Sequence, residues 1–337
     1  MAENFINLLP DPPQNKTGWP WTEGSDLLPD FIPDGSPWPK ISIVTPSYNQ
    51  ADYLEETIRS VLLQNYPNLE YIIIDGGSSD GSVEIIKKYE RWLTLWESKK
   101  DRGQSHAINK GWKQSTGVLL AWVNADDYLE NCALKKVADI YHNKDKKDLG
   151  FIHGKSKTIS ANGWYLSERG APFNLVECLR SSSHPIAQPS TFISSQAIKN
   201  IGYLDENLHM SMDFDLYLRI AKDYATVFTH EYLSYFRMTK TSKTATVEAN
   251  FGPDHELILN KFYSYDNISP RLKSIKREAY LNTYLRSFSG YMRLNDLQKA
   301  RNSYFKALIK SPVACFRNTK KYYLRYLLFG RKNPTIF

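Results

Sequence analysis

The chain has 337 residues, 42% of them apolar and 23% charged, which is enough to bury one large α/β domain with a smaller appendage and excludes a fibrous or disordered protein. Cys132, Cys178 and Cys315 lie far apart with no CxxC spacing, which argues against a disulfide framework or a cysteine metal site, and no run approaches the roughly eighteen apolar residues of a membrane span. The net charge of +7 is unevenly placed: residues 271–337 hold 16 Lys/Arg against 2 Asp/Glu, residues 1–270 hold 27 against 34, so a basic module with an anionic partner is implied.

Residues 1–39 are rich in Pro and Trp (Trp19-Pro20-Trp21, Pro37-Trp38-Pro39) without periodicity. They read as an extended arm laid over the main domain by its aromatics, with disorder as the alternative. Polar residues and prolines interrupt every apolar run there, so no signal peptide is read and a cytoplasmic location is expected.

From Lys40 the pattern alternates. Ile41–Thr45 is a β-branched run ending at Pro46, and Ala51–Gln64 carries apolar residues at 54, 58, 61 and 62, the spacing of an amphipathic helix. Strand Tyr71–Ile74, helix Ser82–Arg91, strand Leu93–Trp96, helix Gln104–Gln114 and strand Val118–Val123 follow. Such alternation predicts βαβ units in a mostly parallel sheet. Beyond residue 150 the pattern is mixed: a hairpin near Ala161-Asn162-Gly163, a helix near 211–222, strands near 226–229 and 232–237, then a helical, basic region. The resulting division is arm 1–39, catalytic domain 40–245 and basic helical region 246–337.

Open parallel sheets bind ligands at the carboxyl ends of their strands. Four polar segments fall there: Pro46–Asn49, Asp75–Gly81, Asp101–Gln104 and Asn124–Asp127. Asp75 closes an apolar strand, where its carboxylate needs a partner such as a ribose hydroxyl or base N–H, or else serves turn chemistry with Gly76-Gly77; position alone leaves the two even. Gly76 and Gly81 have the outer spacing of a phosphate loop, but Ser82-Val83 stands where Lys-Ser/Thr is required, and the glycines miss GxGxxG. Adjacent Asp126 and Asp127 repel each other, and a hard divalent cation relieves that; the alternative is that Asp127 caps a helix starting at Tyr128. Asp213 and Asp215, two residues apart on a helix, diverge; one is a candidate general base, the alternative being acids that stabilise a helix N-terminus.

Taken in order, Ser42–Asn49, Ile74–Ser82, Asp101–Gln104 with Asn109-Lys110-Gly111, Asn124–Asp127, Gln188-Pro189-Ser190, Gly202–Glu206 and Met212–Arg219 resemble the family 2 glycosyltransferases. The likeness runs from about Lys40 to Arg237. It implies an inverting enzyme of the GT-A fold, an α/β Rossmann-like sheet flanked by helices, here with a basic helical C-terminal appendage. It implies that Thr45, Ser47 and Asn49 line a nucleotide pocket, that Asp75 holds the base and that Arg102 lies near the diphosphate. Asn124-Ala125-Asp126-Asp127 takes the DxD position, Asp126 toward the ribose and Asp127 toward Mn²⁺ or Mg²⁺, and Asp213 takes the place of the catalytic base. Three positions depart from the pattern: Asn124 replaces the first acid, Met212 the glutamate before the base, and Thr239 a histidine ligand. The Gln-x-x-Arg-Trp motif of processive synthases is missing, so transfer of a single sugar is expected.

In the basic region, Asp296–Leu308 faintly resembles one helix of a tetratricopeptide-type hairpin, and Lys320–Phe329 reads as a basic–aromatic amphipathic helix suited to an anionic bilayer. No nucleic-acid-binding motif accompanies the charge. The reading is therefore a glycosyltransferase that moves a sugar from a nucleotide-diphosphate donor to a glycan or lipid-linked acceptor hydroxyl, in the cytoplasm or peripheral on the membrane's cytoplasmic face. Its rivals are a catalytically degenerate nucleotide-sugar-binding protein and, behind that, a nucleotidyltransferase.

Overall fold

The computed structural model describes residues 4–208, 210–239 and 251–318. They divide into two compact units, residues 1–173, 185–207 and 219–239 in the first and 174–184, 208–218 and 240–337 in the second.

The first unit is built on one sheet. Strands β1 (Ile41–Ser47), β2 (Leu69–Asp75), β3 (Leu95–Ser98) and β4 (Leu119–Trp122) alternate with helices α1 (Ala51–Leu62), α2 (Ser82–Tyr89) and α3 (Gln104–Gln114). Then come β5 (Tyr128–Leu129), α4 (Ala133–His142), β6 (Leu149–Ser160), β7 (Tyr165–Arg169), β8 (Thr191–Ser194), α6 (Ser195–Ile201) and β9 (Ala225–Met238). The strand order is β3-β2-β1-β4-β8-β6-β9-β5, with β7 hairpinned on β6. Pairing is parallel from β3 through β4 and between β6 and β9, and antiparallel at β4–β8, β8–β6, β6–β7 and β9–β5. The parallel portion is thus the part whose β-branched runs are continuous and buried, as crossover helices on the faces require.

Register places Ser47 opposite Asp75, and Asp75 opposite Ser98. Three strand ends therefore finish level, which sets a single rim for the polar loops. Helix α1 packs Leu54, Ile58, Val61 and Leu62 into the core beside Ile41, Ile43 and Ile73. Each such fully buried side chain contributes about 1.5–3 kcal/mol.

The N-terminal arm is packed, not free. Leu9, Ile32 and Trp38 belong to the core, and Trp19 Nε1 donates to the Leu129 carbonyl at 2.9 Å. Arg59 of α1, only 1% exposed, holds the arm from beneath: its guanidinium donates to the carbonyls of Pro10, Pro20 and Trp21 at 2.7–3.0 Å.

Two expectations need adjusting. Tyr128 does not begin a helix: Tyr128–Leu129 is a short strand on Tyr235 and Ser234, and the next helix starts at Ala133. The strands expected near 226–229 and 232–237 are one strand, β9, whose pairing with β6 shifts register between His153 and Ser156.

The second unit is helical. It contains α5 (Leu175–Ser181), the first turns of α7 (Met212–Asp223), α8 (Phe251–Phe262), α9 (Pro270–Ser274), α10 (Lys276–Arg293), α11 (Leu297–Lys310) and α12 (Pro312–Asn318). Ile258, Leu259, Phe262, Phe288, Ala300 and Ala307 are buried. Gly252 lets α8 approach α10 closely, since a Cβ there would lie 1.9 Å from Ser287 Oγ. Among the described residues no helix is long and apolar enough to cross a membrane. The amphipathic segment read at Lys320–Phe329 lies outside the described residues.

Candidate active site

The rim of the first unit gathers most of the residues singled out in the sequence. Asp75 is fully buried at the end of β2, and its carboxylate is saturated by its own turn and by Ser98 at the end of β3. Oδ2 accepts from the Gly77 and Ser78 N–H groups and the Ser98 hydroxyl at 2.7–3.0 Å, and Oδ1 accepts from Ser78 Oγ at 2.5 Å. Gly77 has a φ of +86°, and a Cβ on Gly76 would meet Asp101 Oδ2 at 3.0 Å and Tyr48 at 3.3 Å. Gly77 is therefore required by the turn's left-handed backbone, while Gly76 leaves room for the Asp101 side chain beside it.

The loop after β1 is stapled to this turn. Ser78 Oγ accepts from the Asn49 N–H, and Asn49 Oδ1 accepts from the Ser79 N–H, at 2.8 and 2.9 Å. Asp80 accepts from the Ala51 and Ser82 N–H groups; burial opposes its charge, but those hydrogen bonds and the Ser82 hydroxyl hold its carboxyl below the ordinary value. Of the three residues expected to line a nucleotide pocket, Asn49 is this staple. Thr45 faces the interior, its hydroxyl 3.1 Å from Tyr71 Oη. Ser47 Oγ is buried with no hydrogen-bond partner among the described residues, a free polar group directly across from Asp75. Tyr48, beside them, is exposed.

Asn124 is the hub of the next cluster. Its Oδ1 accepts from Gln104 Nε2 at 2.7 Å, and its Nδ2 donates to Asp127 Oδ2 at 3.1 Å and Gln188 Oε1 at 3.0 Å. Gln188 in turn donates to the Trp122 carbonyl at 2.8 Å. The amide at 124 does what a carboxylate could not: it accepts on one side and donates to Asp127 on the other, without adding a third negative charge.

Asp127 is held on its other oxygen by the backbone N–H of Arg237 at 2.9 Å. The Arg237 guanidinium donates to the Asp126 carbonyl at 3.0 Å, pairs with Glu56 at 2.7 Å and lies over the rings of Tyr53 and Tyr128. Even so, burial pushes both carboxyls above their ordinary range, and Asp126 raises Asp127 further. Two adjacent carboxylates whose ionisation is opposed in this way suit a divalent cation with oxygen ligands. No third His, Cys, Asp or Glu converges on them among the described residues, so phosphate oxygens and water would complete the coordination. Thr239, where the resemblance implied a histidine, is buried at the end of this strand.

Arg102, expected near a diphosphate, instead grips Glu206 through Nε at 3.1 Å and Nη2 at 2.6 Å. Asn109 fixes that side by exchanging hydrogen bonds with Leu204, at 2.9 and 3.0 Å. Gln104, Gln188, Glu206, Ser98 and Glu56 all take part in the site without having been given roles from sequence. Gln104, Gln188 and Glu206 lie in the segments that carry the family resemblance, which is the available signal; Ser98 and Glu56 give none.

Asp213 lies in the second unit, in the first turn of α7. Its Oδ1 accepts from the Phe214 N–H at 2.8 Å, and its Oδ2 lies 3.4 Å from His184 Nε2. Asp215 is buried and pairs with Lys261 at 3.4 Å, so the two acids do diverge.

A family profile described as Glycosyl transferase family 2 matches residues 42–201, a span that holds the first three rim loops, Asn124–Asp127 and Gln188. This segment belongs to glycosyl transferase family 2. The chain is 27% identical over 268 residues to an uncharacterized glycosyltransferase of Rickettsia typhi, covering 73% of this chain and 83% of that one. It is 27% identical over 215 residues to TuaG of Bacillus subtilis, named for teichuronic acid biosynthesis, covering 60% and 81%. Among solved structures, S. aureus TarS 1–349 in complex with UDP-GlcNAc superposes with a TM-score of 0.62 at 19% identity, covering 87% of each chain. Against the longer TarS chain the same score spans only 52% of that chain. A mannosyltransferase from Pyrobaculum calidifontis in complex with GDP-Man and Mn²⁺ superposes at 0.56, with 16% identity over 90% of this chain and 91% of that one. The fold is thus that of the GT-A glycosyltransferases, with a helical C-terminal region.

Proposed function

We propose that the enzyme is an inverting transferase that moves one sugar from a nucleotide-diphosphate donor to an acceptor hydroxyl during synthesis of a surface polysaccharide or lipid-linked glycan. The observation that carries this reading is the adjacent Asp126–Asp127 pair, Asp126 half-buried and Asp127 fully buried, with Asp127 braced by Asn124 and the Arg237 backbone. TarS was solved with UDP-GlcNAc and the Pyrobaculum enzyme with GDP-Man and Mn²⁺, and TuaG is named for a cell-wall polysaccharide; these favour a nucleotide-sugar donor and a glycan acceptor here.

In this reading Asp75 receives the base, the Ser78 hydroxyl giving up its place on Oδ1, and the orphaned Ser47 hydroxyl supplies a further contact. Asp126 and Asp127 hold Mn²⁺ or Mg²⁺, which when bound neutralises charge on the diphosphate. Arg102 leaves Glu206 to meet the same charge. Asp213 takes the proton of the acceptor hydroxyl, whose oxygen bonds to the anomeric carbon while the bond to the diphosphate oxygen breaks. Thr45 supports Tyr71 rather than the ligand. Asp213→Asn should lower kcat by about 10²–10⁴-fold with donor binding retained; full activity in that variant contradicts the base assignment. The rival, a degenerate donor-binding protein, is motivated by Arg102 being engaged with Glu206 and by the missing third ligand, and it predicts binding without turnover.

An anionic membrane surface is the proposed partner of the basic region, placing the enzyme on the cytoplasmic face. Phe305, Ile309 and Val313 are exposed on successive turns of α11 and α12, an apolar stripe on a basic segment. Sedimentation with phosphatidylglycerol vesicles but not phosphatidylcholine vesicles is expected; equal sedimentation, or none, contradicts it.

A further inference from the structure

The second unit holds an arrangement that the transfer chemistry has not used. His184 Nε2 lies 3.4 Å from Asp213 Oδ2. The imidazole stacks on Phe214, the planes 17° apart and the centroids 5.7 Å apart, and Tyr217 presents its ring edge-on at 5.5 Å. His184 Nδ1 is buried and has no hydrogen-bond partner among the described residues.

These facts constrain the proton. With hydrogen on Nε2, the ring donates to the carboxylate and leaves only a lone pair at Nδ1. The ring is therefore placed to donate from Nε2 to the Asp213 carboxylate. Its partner stays reachable: the Asp213 side chain is 24% exposed, while Oδ1 is tied to its own helix by the Phe214 N–H.

We propose that His184 is a positioning residue for the base, its Nε2–H orienting Asp213 Oδ2 and keeping that carboxylate ready to take the acceptor's proton. This rests on the reading of Asp213 as the base. In the step, the acceptor O–H bond breaks and its proton passes to Asp213; His184 keeps its own proton and strengthens or weakens one hydrogen bond.

The surrounding groups agree with that assignment. On α8, His255 faces the Phe214 ring at 4.7 Å, and its Nδ1 lies 2.7 Å from Ser182 Oγ, which accepts from Thr283 Oγ1. Burial lowers the His255 ring to about 3, so it adds no charge. Asp254, also on α8, is engaged by the Met210 and Ser211 N–H groups. Arg286 of α10 donates to the Ser182 carbonyl, and Asp215 and Tyr217 sit on α7 itself. Burial opposes the charge on Asp213, yet the hydrogen bonds from His184 and the Phe214 N–H hold its carboxyl below the ordinary value.

The test compares His184→Phe and His184→Gln with the wild-type chain. Carbon-13 labelling of the aspartate carboxyls, with Asp213 assigned by its loss in Asp213→Asn, follows the titration without substrate. Release of UDP from UDP-GlcNAc, or of GDP from GDP-mannose, gives the acid limb of kcat/KM. In His184→Phe the Asp213 titration and the acid limb both move to higher pH, and kcat at neutral pH falls about tenfold, the size expected for one hydrogen bond to a charged group. His184→Gln, whose side-chain amide restores a donor, recovers most of both. An unmoved titration, or a glutamine variant no better than phenylalanine, overturns the proposal. Should His184→Phe fail to fold, His184→Met serves as the donor-free variant. Full turnover in Asp213→Asn sinks the base reading; an inactive Asp213→Asn beside an unshifted His184→Phe sinks only the role of His184.

Discussion

The backbone N–H of Arg237 donates to Oδ1 of Asp127 at 2.9 Å, across 110 residues of sequence. Strand β9 thereby fixes the orientation of a carboxylate that follows β4, while Asn124 fixes its other oxygen. The same arginine spends its guanidinium on Glu56 and on the carbonyls of Asp126 and Ala161. One residue therefore joins the acidic cluster to α1 and to the β6–β7 hairpin.

Arg237→Ala is expected to lose about 3 kcal/mol of stability, because it leaves Glu56 without its buried partner. Chemical denaturation reads the loss. Nucleotide affinity should fall as well, since Asp127 loses its frame; a variant of unchanged stability contradicts the bracing role.

Asp126 gives a pH-dependent prediction. Burial raises its carboxyl above the ordinary 3.8, so the folded chain holds that proton more tightly than the unfolded one. Stability from this group is full below 3.8 and is lost as pH climbs through the raised folded value. Asp126→Asn removes the loss, and also the repulsion that raises Asp127. The variant should match wild type near pH 3.5 and exceed it at pH 7.5 in denaturant midpoint, while transfer drops by about 100-fold. Equal midpoints at both pH values argue against the strained carboxylate pair.

Glu206→Gln tests whether Arg102 is withheld from the donor. The Arg102 side chain is 69% exposed in its pair with Glu206, and such pairs are worth up to about 1 kcal/mol. Freeing Arg102 should tighten nucleoside-diphosphate binding by no more than about fivefold. Arg102→Ala should weaken it, more so at low salt. Tighter binding in Arg102→Ala contradicts the assignment.

Arg59→Ala should release the N-terminal arm. Its guanidinium holds three arm carbonyls and touches Tyr89 Oη at 3.2 Å. Limited proteolysis should cut within residues 10–22 in the variant and not in the wild type, with a stability loss of about 3 kcal/mol.

What the sequence discloses follows the range of the interactions. The runs Ile41–Thr45 and Tyr71–Ile74 are legible because buried parallel strands need uninterrupted β-branched residues, and both fall within the observed β1 and β2. The rim loops are legible because strand ends in such a sheet share one edge. Tyr128 is misread because its strand exists only through Tyr235, more than 100 residues away. Asp75 was even between ligand and turn, and the structure shows the turn chemistry fully made. The role of Arg59 is not legible in the sequence, since the carbonyls it serves belong to an aperiodic arm. Asn124 looked like a missing acid; its wiring to Gln104, Gln188 and Asp127 shows why an amide belongs there.

The donor site itself is tested most directly by calorimetric titration of the chain with UDP and GDP, with and without Mn²⁺, beside Asp127→Asn. Saturable binding of one nucleotide that Mn²⁺ strengthens and Asp127→Asn weakens at least tenfold, about 1.4 kcal/mol, is the predicted result. Binding of neither nucleotide, or binding indifferent to both Mn²⁺ and Asp127, would contradict a nucleotide-sugar site centred on Asp75 and Asn124–Asp127.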